Sequence, residues 1–237
     1  MTTTAELNHT RSWMDTGTAL FTATVGRLTD ADLAAATVLP AWSRRHVIAH
    51  VALNAQALRR LVRWARTGEP TLMYASPEQR ASDIEEAVCW PSSRLRSLLA
   101  DTALQLATDL DRLPPGRWAA QVRTAQGRTI TAREIPWLRT REVAVHATDL
   151  GAGVNFEDLP DELCAALVTD AARLRSSRGH DPAVALRSAD QAWLVTGTGQ
   201  PVQAEGSPAA LARWLTGRGT SGLTVTGGAL PPLSPWL

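Results

Sequence analysis

No lysine occurs in the 237 residues; all 24 basic side chains are arginine. That absence excludes Schiff-base chemistry and a lysine nucleophile, and it leaves many planar guanidinium forks suited to carboxylates. Cysteine is scarce too. Cys89 and Cys164 lie far apart and in no CxxC or zinc-ribbon spacing, so a disulfide framework and a thiolate metal cluster both drop out. Both cysteines read as small buried hydrophobes, and any thiol chemistry needs a thiol that the protein borrows. Net charge is almost absent at +1, which gives no electrostatic basis for capturing nucleic acid or an anionic membrane. No apolar run approaches the roughly 18 residues of a membrane span. The opening MTTTAELNHTRSW lacks the basic-then-apolar order of a signal peptide, so a cytoplasmic protein is expected. Tyrosine and phenylalanine are rare (one and two) against nine tryptophans, a bias read first as core filling. The remaining composition, 44% hydrophobic and 20% charged, suffices for one large or two small domains with a real core.

The first two thirds read as helices. Apolar positions recur at helical spacing from about 4 to 28 (Leu7, Trp13, Leu20, Val25, Leu28). Ser43 is placed as an N-cap and Gly68 as the closing residue of HVIAHVALNAQALRRLVRWAR. Ser76–Pro77–Glu78 opens a shorter helix, and SSRLRSLLADTALQLATDLDRL gives a long one stopped by Pro114–Pro115–Gly116. A turn or hairpin is expected around Gly127. Thr131 to Glu134 has the pattern of a capping box, opening a helix to Gly151 with Pro136 in its second turn, where it should remove a backbone hydrogen bond. The pattern changes after Gly151, with one more helix from Pro160 to about Ser177. Strand-like runs AVALRSA, AWLVTG, PVQAEG and LTVTG follow, with a capped helix from Ser207–Pro208 among them. The expectation is an α+β protein: a helical bundle over 1–153 and a small α/β domain over 154–237.

Five histidines are present, and their spacing carries the chemistry. His46 and His50 are four apart on one expected helix; Glu142 and His146 are four apart on another. Residues at i and i+4 share a helix face. Glu142 and His146 can therefore chelate one ion while His50 reaches it from a facing helix. Two imidazoles and one carboxylate suit Zn²⁺ or a similar divalent ion, and three protein ligands leave a coordination position open, as catalytic sites do. The plainer reading of Glu142 and His146 is a surface pair. His46 remains a fourth ligand, a partner of a ligand, or a surface residue.

WSRRHVIAHVALNAQAL, RTGEPTLMYASPEQR, AQGRTITAREIPWLRTREVAVHATDLG and GRGTSGLTV together resemble the mycothiol-dependent maleylpyruvate isomerases across nearly the whole chain. The resemblance implies a DinB-like four-helix bundle joined to a smaller C-terminal α/β domain. It implies a divalent metal, usually zinc, held at His50, Glu142 and His146, and a catalytic arginine at Arg218. It also implies mycothiol as thiol cofactor and a dicarboxylate substrate: maleylpyruvate becomes fumarylpyruvate in gentisate breakdown by addition of a metal-bound thiolate, rotation and elimination.

Arg218 read by position alone is a helix C-terminal residue facing the dipole. Arg139 and Arg141 flank Glu142 and serve either the ligand shell or the surface. Asn54, one turn beyond His50, bonds either a ligand or a core carbonyl, and Trp42, Trp64 and Trp137 either wall a cleft or pack the core. A mycothiol S-transferase on the same scaffold and a non-catalytic metal- or thiol-binding module are the competing functions.

Overall fold

The computed structural model describes residues 4–236. The chain divides after Val154 into two units, each described by itself. The first contains α1 (Thr4–Arg27), α2 (Arg44–Thr67), α3 (Pro77–Val88), α4 (Ser92–Asp111) and α5 (Ile135–Asp149). α1 packs along α5, α2 along α4 and α5, and the shorter α3 lies against α2. The starts and stops are those the side chains dictate. Ser43 precedes α2, and Gly68 ends it in the left-handed region at φ 81°. Ser76 Oγ accepts from the Gln79 amide at 3.1 Å, and Pro77 occupies the first turn of α3. The hairpin around Gly127 pairs β1 (Gln121–Arg123) with β2 (Thr129–Thr131).

Pro136 corrects the expectation placed on it. The Thr131 N–H does donate to Glu134 Oε1 at 3.2 Å, but Ala132–Glu134 forms a 3₁₀ turn and α5 begins only at Ile135. Pro136 thus sits in the first turn of α5, where its missing N–H has no intrahelical partner to lose. Cys89 is a second correction: it caps α3 and is exposed, whereas Cys164 is buried as expected.

The bundle interior is two apolar clusters rather than one. Leu58, Leu61, Leu106, Leu110, Ile135 and Leu138 belong to the first; Phe21, Ile48, Val51, Leu95, Leu99 and Val143 belong to the second. In sequence terms a buried polar layer separates them on three helices: Asn54 on α2, Thr102 on α4, Arg139 and Thr140 on α5. α1 crosses this level at Gly17, where an added Cβ would lie 2.7 Å from Val143 Cγ2.

The second unit contains α6 (Asp161–Arg178), β3 (Pro182–Arg187), β4 (Ala192–Val195), β5 (Thr198–Glu205), α7 (Pro208–Leu215) and β6 (Thr224–Thr226). The sheet order is β4-β3-β5-β6, with β3 and β5 parallel and the outer pairs antiparallel. α6 packs on α7 and on β4. Ser207 Oγ accepts from the Ala210 amide at 3.1 Å and Pro208 fills the first turn of α7.

The proline-rich C-terminal segment before residue 237 is bonded into the second unit. Fully buried Arg175 donates to Asp181 Oδ2 at 2.8 Å and to the Leu215 and Ser234 carbonyls. The Ser234 amide donates to Asp181 Oδ1 at 2.8 Å, and Trp236 is buried. Burial opposes the Asp181 charge, but the Ser234 and Arg175 bonds outweigh it and lower its pKa. Such a group stabilises the fold above its unfolded pKa, and that stabilisation fades as pH falls through the lower folded value. Asp181→Asn is therefore expected to destabilise by ~3–5 kcal/mol at neutral pH, the cost of breaking a buried pair from one side. In denaturant titrations, the gap to wild type should close at acid pH. Among the described residues no helix is long and apolar enough to cross a membrane.

Candidate metal centre

α2 and α5 lie side by side, and each brings one face to their contact. His50 comes from α2; Glu142 and His146, one turn apart, come from α5. Each offers one ligand atom, and these atoms all lie within 4.8 Å of one another. His50 Nε2 is 2.9 Å and His146 Nε2 3.4 Å from the same oxygen, Glu142 Oε2. The imidazoles meet edge to face with centroids 4.8 Å apart. All three side chains are 8–14% exposed, so the surface-pair reading of Glu142 and His146 fails.

His146 is oriented from behind. Its Nδ1 is 2.7 Å from Asp149 Oδ2, and that carboxylate is fully buried on the same helix three residues on. Nδ1 therefore carries the proton and donates, which turns Nε2 toward Glu142 and the shared space, the arrangement that fixes a histidine for ligation. Asp149→Ala is expected to lower metal affinity ~10–100-fold, measured by competition with a chromophoric chelator.

The electrostatics are those of a compact charge cluster. Burial opposes the charge on Glu142, but hydrogen bonds from His146 and His50 hold its carboxyl well below the usual carboxylate range. Burial also opposes protonation of His146, yet the Asp149 and Glu142 bonds raise its pKa. His50 goes the other way: burial lowers it, against Glu142, with His146 and Arg80 lowering it further. Two nitrogens and one carboxylate oxygen, converging in a buried space with one ligand braced from behind, are a donor set that fits a divalent cation with a position left open.

The remaining candidates separate cleanly. His46 is not in the cluster: its Nδ1 accepts from the Ser43 amide at 3.1 Å at the start of α2, and its Nε2 is 3.5 Å from exposed Glu85. Among the described residues Asn54 bonds to Arg139. Its Oδ1 accepts from Arg139 Nη1 at 3.2 Å, and the same nitrogen donates to the Val51 carbonyl at 2.6 Å. Arg139 is fully buried, and burial brings its pKa down to about 10 against the attraction of Glu142 and Tyr74. Trp42 does border the site, its ring 5.5 Å from His50, while Trp64 packs on the first apolar cluster and Trp137 lies by Trp13. Arg218 belongs to the second unit. It follows α7, its amide donates to the Arg213 carbonyl at 2.8 Å, and its Nη1 donates to the Thr216 carbonyl.

Three groups at the cluster escaped the sequence reading. Asp149 had a signal, its i+3 spacing from His146. Arg80 and Tyr74 had none, because they arrive from α3 and the segment before it.

The family profile described as the mycothiol maleylpyruvate isomerase N-terminal domain matches residues 14–151, which contain all three candidate ligands. The chain belongs to the mycothiol-dependent maleylpyruvate isomerase family. A crystal structure of the mycothiol-dependent maleylpyruvate isomerase is similar over 97% of both chains, with 33% identity and a TM-score of 0.93. A histidine-to-alanine variant of that enzyme aligns over the same shares, with 32% identity and a TM-score of 0.92. YfiT from Bacillus subtilis, described as a probable metal-dependent hydrolase with an unusual four-helix bundle topology, covers 63% of this chain and 87% of its own. Its 17% identity and TM-score of 0.51 show the bundle fold alone. A search of the curated proteins gave no significant match. For a maleylpyruvate isomerase family member, the α+β architecture of bundle and small α/β unit is the expected one, and the cluster lies wholly in the bundle unit.

Proposed function

We propose that the protein is a mycothiol-dependent cis–trans isomerase converting maleylpyruvate to fumarylpyruvate, with Zn²⁺ held by His50, Glu142 and His146. The observation that supports this best is the buried convergence of those three side chains in a chain similar along 97% of its length to such an isomerase.

When bound, the cation supplies the Lewis acidity that keeps a coordinated thiol deprotonated near neutral pH, where a free thiol with pKa ~8.5 is mostly protonated. The chain's own residues set the conditions for that chemistry. Neutral His50 and His146 with the single charge of Glu142 would leave a divalent ion under-neutralised, which would favour an anionic sulfur as a further ligand. Asp149 fixes the His146 tautomer and so the direction of its lone pair. The ring of Trp42 stands 5.5 Å from that of His50 at the cluster's edge. Isomerisation requires the carbon–carbon double bond to become single while negative charge collects on the neighbouring keto oxygen. A guanidinium is the group to stabilise that charge and the substrate carboxylates, and we assign this role to Arg218.

The test is the ultraviolet absorbance of maleylpyruvate followed with zinc-loaded protein and mycothiol. Thiol- and metal-dependent conversion to fumarylpyruvate is the expected result. No change, alongside conjugation of mycothiol to a generic electrophile, would overturn the isomerase in favour of a transferase.

A further inference from the structure

Arg80 sits where the neighbour of a metal-binding histidine should not. A guanidinium only donates hydrogen bonds, so the 3.0 Å contact between Arg80 Nη2 and His50 Nδ1 makes Nδ1 the acceptor. A neutral imidazole carries one N–H, which then lies on Nε2 and points at Glu142 Oε2, 2.9 Å away. To ligate an ion in the shared space, Nε2 must instead offer its lone pair. The proton then moves to Nδ1 with no change in proton count, and Nδ1–H and Arg80 become two donors face to face. His146 shows the contrast, because Asp149 accepts from its Nδ1 and leaves it ready to bind.

The charges point the same way. A divalent ion in the shared space would add two positive charges beside the Arg80 guanidinium, which lies 3.0 Å from His50. Arg139 cannot move to answer it, being pinned to Val51 and Asn54, yet its buried Nη2 has no hydrogen-bond partner among the described residues. Arg80 is half-buried at the end of a flexible stem, its guanidinium carbon 5.7 Å from the Tyr74 ring centroid.

We propose that loading of the His50–Glu142–His146 site releases Arg80 from His50 and frees its guanidinium to bind a carboxylate of the substrate beside the cation. The release follows from His50 alone; only the choice of a dicarboxylate as the anion rests on the isomerase reading. Arg80 and an ion thus make competing demands on His50, and the guanidinium that gives way becomes an anion fork.

The test uses maleate, a cis-dicarboxylate, titrated calorimetrically into zinc-loaded wild type, Arg80→Ala and Arg80→Gln. Zinc affinity is measured by chelator competition, and histidine tautomers are read by nitrogen-15 NMR. Both variants are expected to bind zinc at least as tightly as wild type, the glutamine because its amide oxygen can accept from Nδ1–H. Both should bind maleate ~10-fold or more weakly, as loss of a charge-assisted pair implies. In wild type, His50 should switch from Nε2–H to Nδ1–H on loading. Maleate affinity within twofold of wild type would overturn the anion role, and a marked loss of zinc affinity in both variants would make Arg80 a prop for His50. Because no readout is turnover, failure of the isomerase assay would leave these outcomes interpretable.

Discussion

His50→Ala is expected to lose stoichiometric zinc and turnover together. The remaining Glu142 and His146 sit on one helix and approach the shared space from one side only, so the cation would keep two protein ligands where catalytic zinc sites use three. The affinity loss should exceed the ~10–100-fold that removal of a hydrogen-bond partner behind a ligand causes. Turnover should fall by at least ~10³-fold, equivalent to about 4 kcal/mol of lost transition-state stabilisation. Folding is the needed control. His50 is ringed by apolar α2 neighbours, Val47, Ile48 and Val51, and truncation there opens a small cavity, so circular dichroism and thermal melts accompany the metal analysis. Zinc retained at full occupancy in a folded variant would show the ligand assignment to be wrong.

The second large effect concerns Arg218, and its readouts divide two roles. In its own unit the side chain serves the end of α7, donating to the Thr216 carbonyl. If that local role were all, Arg218→Ala would shift the melt by the equivalent of ~0.3–1 kcal/mol and leave kcat alone. The catalytic role predicts the opposite: zinc content and melting temperature near wild type, with kcat down ~10²–10³-fold, the cost of removing one oxyanion donor. Arg218→Lys should recover only part of it, because a point charge does not replace a planar fork. Wild-type kcat in Arg218→Ala would remove the residue from the mechanism.

Much of this was legible in one sequence because the relevant signals are local. A cap, a closing glycine and a 3.6-residue apolar period mark α2 without reference to anything else, and i,i+4 spacing puts Glu142 above His146. What the sequence hid depends on which helix faces which. His46 and His50 carry equal claims as ligands by spacing. Only the fold shows His46 spent on the start of α2, a use its position three residues after Ser43 permits. Pro136 was misplaced because a 3₁₀ turn and a first α turn look alike in composition. Arg80 was invisible because a side chain arriving from another helix leaves no periodic trace. Arg139 was ambiguous because nothing in a sequence says which arginine a bundle will bury whole.

The candidate ligands are divided between two helices, and that division reaches past catalysis. His50 on α2 and the pair on α5 would be tied across the bundle by a shared ion, within the stretch of those helices that carries the second apolar cluster. A ligand that binds only the native state stabilises it by RT ln(1 + [L]/Kd). The equilibrium stability of the folded chain should therefore rise with the free concentration of the ion it binds, making metal supply a determinant of how much protein stays folded as well as how fast it works.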